Sequence, residues 1–315
     1  MDALRLVAPR RLYLVADGPR NVSDLAPCKE TREIFDLIDW PCDVRRNFSA
    51  CNLGCGVRVA TGLDWVFRYE SRAIILEDDC IPNLDFFRFC CQLLDRYDNS
   101  AQVMAIVGTN LQQGNRRSIN SYHFGIYSVM WGWATWRRAW KKFELNPADC
   151  VEWNNKHQFR ALFDTRLEAD FWRDRLARLV DSKNPFAWDW QWLFAIWRSR
   201  GFIIIPEHNL ISNLGTGRPD ATHTVGISPF GGMQIESIED PLVHPLAIER
   251  SKEADLYVLA NALGGAGVVQ DLNIANRLRR IVLRNAGRLR RFIKSPIITS
   301  RSFIARVLSS VQEKD

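Results

Sequence analysis

Residues 73–97 read AIILEDDCIPNLDFFRFCCQLLDRY, and the order of chemistry in this stretch decides the fold. Residues 73–76 are a short apolar run suited to a buried strand. Three acids follow at once: Glu77, Asp78 and Asp79. Pro82 breaks the chain, and Asn83 can cap what comes next. Phe86, Phe87, Cys90, Leu94 and Tyr97 then recur at three and four residues, which predicts an amphipathic helix over 83–97.

The same alternation extends outward. Upstream, CGVRVATGLDWVFRY (55–69) places Val59, Leu63, Val66 and Phe67 on one helical face. Before it, DVRRNFS (43–49) and RRLYLVAD (10–17) read as strands. KETREIFDLIDW (29–40) reads as a helix with Ile34, Leu37 and Ile38 together. Downstream, VMAIVG (103–108) is a further strand. Strand and helix in turn predict an α/β fold with a mostly parallel sheet flanked by helices. In open sheets of this kind, ligands bind beyond the carboxyl ends of the strands. Asp17 and the 77–79 acids both stand at such ends.

After Tyr122 the texture changes. SVMWGWATWRRAW (128–140) is aromatic and contains glycine. Residues 157–181 suggest a long charged helix. FAWDWQWLFAIWRSRG (186–201) suggests a tryptophan-rich helix ended by Gly201. FIIIP (202–206) is a strand, NLGTGRPDATHT (213–224) a polar loop, and 226–270 is weakly organised. The expected division is a body over 1–250, with halves at about 1–125 and 126–250, and a basic helical extension over 251–315.

The chain has 315 residues, 47% of them hydrophobic and 25% charged, and twelve tryptophans. No run approaches the ~18 apolar residues that span a bilayer. MDALRLVAPRR carries an early acid and too short an apolar stretch for a secretory signal. A cytoplasmic location is therefore expected. The eight cysteines show no zinc spacing and are expected as free, mainly buried thiols. From Ile274 onward, eleven Lys and Arg face two acids, so this tail carries +9 of the overall +6 and the rest of the chain −3. The basic charge thus belongs to an appendage, and no aromatic platform accompanies it, which argues against nucleic acid as a partner. NIANRLRRIVLRNAGRLRRFIK (273–294) mixes arginines with aliphatics. It suits either an anionic membrane surface or a terminal helix packed on the body.

Adjacent carboxylates at a strand end suit a hard divalent cation, Mn²⁺ or Mg²⁺, held by oxygen. The alternative is a pair of solvated acids near the positive end of the following helix. Taken together, NLGCGVRVATGLDWVFRYESRAIILEDDCIPNLDFFRFCCQLLDRY (52–97), GWATWRRAW (132–140), WDWQW (188–192) and SNLGTG (212–217) resemble, in the same order, GT-A fold glycosyltransferases. The group most resembled is that of N-acetylglucosaminyltransferase I and its bacterial relatives. The likeness runs from about residue 10 to about residue 245.

That resemblance implies transfer of a sugar from a nucleotide-diphosphate sugar, uridine-linked in most of the group, to a glycan or lipid-linked acceptor. It implies that Asp79 coordinates the metal, that Asp78 lies near ribose and sugar, and that Glu77 holds both. It places Gly54 and Arg58 on the sugar nucleotide and Asp17 on the nucleobase. A turn or capping role for Asp17 stands equally beside that. Asp189, between Trp188 and Trp190, is the candidate base for the acceptor hydroxyl, and equally a helix N-cap. Trp131, Gly132, Trp133, Trp136 and Trp188 are candidates for the acceptor side, or for a buried tryptophan cluster with a tight turn at Gly132. His223 is a candidate further metal ligand or diphosphate contact, and Arg218 a candidate phosphate partner or a solvated side chain.

Members of this group begin with a further strand and an Asn-Arg-Pro-type turn. The resemblance therefore implies either a misassigned start or an N-terminally truncated domain, and the chain from this start is expected to be weakened in stability and turnover. A catalytically impaired binding protein is the alternative that this raises. A metal-dependent phosphoryl-transfer enzyme is a third reading, which no P-loop and no second acidic cluster supports.

Overall fold

The computed structural model describes residues 1–145, 157–181, 188–215, 229–275 and 278. The chain divides into two units, 1–266 and 267–315. In the second, residues 267–275 are helical; the remainder of the basic tail lies outside the described residues, apart from Leu278. In the first, the strands are β1 Arg11–Ala16, β2 Asp43–Phe48, β3 Arg72–Ile75, β4 Cys80–Pro82, β5 Val103–Val107, β6 Tyr122–Gly125, β7 Trp133–Trp136, β8 Phe202–Pro206 and β9 Ile211–Asn213. The helices are α1 Asp2–Val7, α2 Leu25–Glu33, α3 Cys55–Tyr69, α4 Leu84–Arg96, α5 Arg137–Trp140, α6 His157–Arg160, α7 Arg166–Asp181, α8 Trp188–Arg198 and α9 Lys252–Asn261.

The architecture is α/β with a mixed main sheet. Five strands pair in the order β3-β7-β5-β8-β6. β5 and β8 are parallel, while β7 and β6 run against their neighbours. β3, β5 and β8 therefore share one direction, as strand–helix alternation requires. β7 slots between β3 and β5, and β6 closes the far edge. β1 and β2 form a separate parallel pair, and β4 pairs with β9.

The interior strands β5 and β7 and the edge strand β6 are buried at every position. Strands covered on both faces carry no polar–apolar alternation, which is why WATW and YHFG do not announce themselves as strands. In β7 successive side chains point to opposite faces. Ala134 and Trp136 join Phe86, Phe89, Cys90 and Leu93 of α4 in the core cluster. The Trp136 indole donates to Leu94 O at 3.1 Å. Trp133 points the other way, onto Trp188 of α8, with ring centroids 5.3 Å apart and stacked. Each large side chain so buried contributes about 1.5–3 kcal/mol.

Helix ends follow local chemistry. The Asn83 side chain accepts from Asp85 N at 3.1 Å, capping α4 as expected. The expected helix over 157–181 is interrupted: the Thr165 hydroxyl accepts from Glu168 N at 3.2 Å and starts α7 afresh. The expected helix over 29–40 begins earlier and gives way to a 3₁₀ turn at Ile34–Leu37. Ile34 and Leu37 are exposed, so their apolar stripe has no surface to hold it. At the end of α8 the left-handed residue is Arg200 (φ 52°), not Gly201. Gly201 is required for space, since a Cβ there would stand 2.4 Å from Met104 Sδ.

The body extends past 250 to Ala266, because α9 is pinned into it. Asp255 accepts from the backbone N–H groups of Ile126 and Tyr127. Arg250 distributes its guanidinium over Asp164, Glu168 and Asp255. Among the described residues no helix is long and apolar enough to cross a membrane.

Gly132 sits at φ 63°, and a Cβ there would stand 2.5 Å from Ile211 Cδ1. Gly132→Ala is expected to destabilise the protein by about 2–4 kcal/mol, read as a lower urea midpoint at unchanged slope.

Candidate functional site

The site forms where β3 ends. Glu77 and Asp79 are half-buried on the turn between β3 and β4, and Asp78 is exposed. One ligand atom from each of Glu77, Asp79 and Cys80 lies within 4.8 Å of the others. Two parts of the chain, remote in sequence, converge on this turn. The first is the start of α8: the Trp188 indole donates to Glu77, and Asp189 lies within electrostatic reach of the same carboxylate. The second is the start of α3, where Cys55 feels Glu77, Asp189, Asp78 and Asp17.

Burial and the neighbouring carboxylates raise the proton affinity of Glu77. Glu77 is pushed up to about 8, first by burial and then by Asp79, Asp189 and Asp78; the Trp188 N–H works against the shift. The Cys55 residue is exposed as a whole. Its dense surroundings still desolvate the thiol, and with the acids nearby it is pushed up to about 11. Burial, Glu77 and Asp79 push the Cys80 thiol up strongly.

Asp189 is half-buried in the first turn of α8, and its Oδ1 accepts from Trp190 N at 2.9 Å. It lies one residue inside the helix, not at the N-cap expected, and within electrostatic reach of the acids. Arg175 of α7 lies within electrostatic reach of Asp189 and stacks 4.7 Å from the Trp190 ring.

Asp17 performs the turn role. Its Oδ1 accepts from Gly18 N (2.8 Å) and Leu53 N (2.9 Å), and its Oδ2 from Gly54 N (2.9 Å) and Asn52 Nδ2 (3.1 Å). A carboxylate offers about four acceptor positions; three are taken up clamping 52–54 and the fourth by Gly18 N. Gly54 carries φ 77° at the N-cap of α3, a conformation that favours glycine. Arg58 is buried and donates through Nη2 to the backbone and side-chain oxygens of Asn47. Its place is between α3 and β2.

Trp133, Trp136 and Trp188 are core residues, as the buried-cluster alternative has it. Trp133 is 0% and Trp188 3% exposed, and Trp133 packs on Trp188, Trp140 and Trp192. The indole N–H of Trp188 reaches the site through Glu77. Trp136 is buried on the opposite face, against α4. Trp131 is half-buried against the main core cluster. Gly132 answers to close packing against Ile211 and Leu76. His223 and Arg218 lie outside the described residues. All seven described cysteines are free, as expected, but Cys90 alone among them is buried, while Cys51, Cys55 and Cys91 are exposed.

Two further residues at the site lie in the SNLGTG stretch, whose resemblance assigns them no individual role. Asn213 donates through Nδ2 to Asp79 Oδ1 at 2.9 Å. Gly215 lies so close that a Cβ there would stand 2.0 Å from Asp79 Oδ2.

Unfolding returns Glu77 to its ordinary value near 4.5. Between that value and about 8, the folded state binds more protons than the unfolded one, so stability falls as pH rises through this window. The metal-free protein should lose several degrees of unfolding midpoint from about pH 5 to about pH 8. Glu77→Gln should flatten that slope, which a thermal-unfolding series in chelator will show.

No protein-family model matches the chain, and no curated protein matches it.

Proposed function

We propose that this chain is a glycosyltransferase. It would move a sugar from a nucleotide-diphosphate donor to a hydroxyl on a glycan or lipid-linked acceptor. The observation that carries this reading is the convergence of Asp189 with the 77–79 acids. A candidate base and a candidate cation cluster, remote in sequence, meet at the end of one strand. The motif resemblance at 52–97, 132–140, 188–192 and 212–217 supports the same assignment.

The residues present fit a divalent cation. Glu77, Asp79 and Cys80 bring two oxygens and a sulfur together. Gly215 keeps the flank of Asp79 free of any side chain. Glu77 and Asp79 would hold Mn²⁺ or Mg²⁺. When bound, the ion offsets the negative charge of the departing diphosphate.

The remaining chemistry belongs to the chain. Asp189 takes the proton from the acceptor oxygen as that oxygen bonds to the anomeric carbon. The bond from that carbon to the diphosphate oxygen breaks, and the diphosphate leaves with the electron pair. One displacement with one base inverts the anomeric centre. The Trp188 N–H keeps Glu77 oriented, and the stack of Trp188 on Trp133 holds the start of α8 against the sheet. A cytoplasmic location, with the basic tail touching an anionic membrane surface, completes the proposal.

The test is a panel of uridine-diphosphate sugars with Mn²⁺, scored for donor hydrolysis and for transfer to glycan acceptors. The wild type should turn over at least one donor. Asp189→Asn should lower kcat by about 10²–10⁴-fold with donor affinity retained. Wild-type rates in Asp189→Asn would remove it as the base.

A further inference from the structure

Asp79 is controlled from the far side of the chain. β9 pairs antiparallel with β4 so that Asn213 stands opposite Cys80. Leu214 N donates to the Asp79 backbone oxygen at 2.8 Å, which locks the two turns together. Asn213 is 3% exposed and anchored at both ends. Its backbone oxygen accepts from Gly232 N, and its side-chain Oδ1 from Gly215 N, each at 2.8 Å. Because the Gly215 N–H must meet an oxygen, the Asn213 NH₂ faces Asp79. It donates to Oδ1 at 2.9 Å, and the Cys80 thiol reaches the same oxygen at 3.5 Å.

The second oxygen is governed by an absent side chain. Gly215 backs directly onto Asp79 Oδ2, and any β-carbon at 215 would overlap it. The carboxylate would have to turn. Turning would displace Oδ1 from the Asn213 amide and the Cys80 thiol.

We infer that Asn213 and Gly215 are positioning residues for Asp79: Asn213 engages Oδ1, and Gly215 leaves room for Oδ2 to face the cation. This rests on the metal reading proposed above and adds to it the groups that set the ligand's geometry. Partners that orient a ligating carboxylate typically change metal affinity by about 10–100-fold when lost. A neutral amide suits this task, since it gives a donor without adding charge to a crowded acidic site. Gly215 is suited because even a methyl group is too large.

The experiment titrates Mn²⁺ into the full chain, with and without uridine diphosphate, by calorimetry and by the resonance signal of free Mn²⁺. The variants are Asn213→Ala, Gly215→Ala and Asp79→Asn. Circular dichroism and the unfolding midpoint in chelator report folding separately. Both positioning variants should fold, bind Mn²⁺ at least about tenfold more weakly, and lose most of the Mn²⁺-induced rise in midpoint. A merely structural role would lower the midpoint in chelator and leave the Mn²⁺ affinity unchanged. If Asp79→Asn loses Mn²⁺ while Asn213→Ala and Gly215→Ala bind it as the wild type does, the positioning inference falls and the metal reading stands. If Asp79→Asn binds like the wild type, or the wild type takes up no Mn²⁺, the metal reading falls and takes the inference with it. Should Gly215→Ala fail to fold, the Asn213→Ala titration decides alone.

Discussion

Four carboxylates brought together at one strand end repel one another, and the rest of the site is organised around that repulsion. Glu77, Asp78, Asp79 and Asp189 come from a turn and a helix start that lie far apart in the chain. Left to solvent, such groups would move apart. Here they are held by neutral donors, the Trp188 indole on Glu77 and the Asn213 amide on Asp79. The start of α3, a helix of 15 residues, also lies within reach of the acids. The partial positive charge at a helix N-terminus offsets part of the load. What remains adds to burial, the larger cause, in raising the proton affinity of Glu77.

The tryptophans contribute rigidity. Trp133 of β7 stacks on Trp188 of α8, and Trp192 and Trp140 pack beside them. This aromatic layer joins the sheet to the helix that carries Asp189. A flexible α8 would let Asp189 retreat from the triplet. The aromatic density of the sequence thus bears on the chemistry through position, with one polar atom, Trp188 Nε1, extending from the core into the site.

The strongly periodic elements were legible from sequence. The helix expected over 55–69 has those limits in the structure, and the 83–97 helix keeps its Asn83 cap. The strands that escaped are short. β4 and β9 have three residues each, and β6 and β7 four, buried on both faces, so none repeats long enough to show a period. The acids and Asp189 were legible because chemistry concentrates there in adjacent letters. Asp17 was legible as an acid at a strand end, but its duty depended on which backbone N–H groups the 52–54 loop would present. Asn213 and Gly215 stand in the SNLGTG stretch that carries part of the resemblance, but their roles were illegible for a different reason. Their roles arise from a pairing between β4 and β9 that no local pattern encodes.

The Arg250 cluster has a practical corollary for anyone trimming this chain to a minimal working piece. A cut just after 250 would delete Asp255, whose carboxylate sits 1% exposed on the amides of Ile126 and Tyr127. Two backbone donors would then lie bare inside the protein, and a guanidinium built for three acids would keep two. Half-dismantled interior ion clusters are worse than none. The safe place for the scissors is beyond Ala266, where the first unit ends.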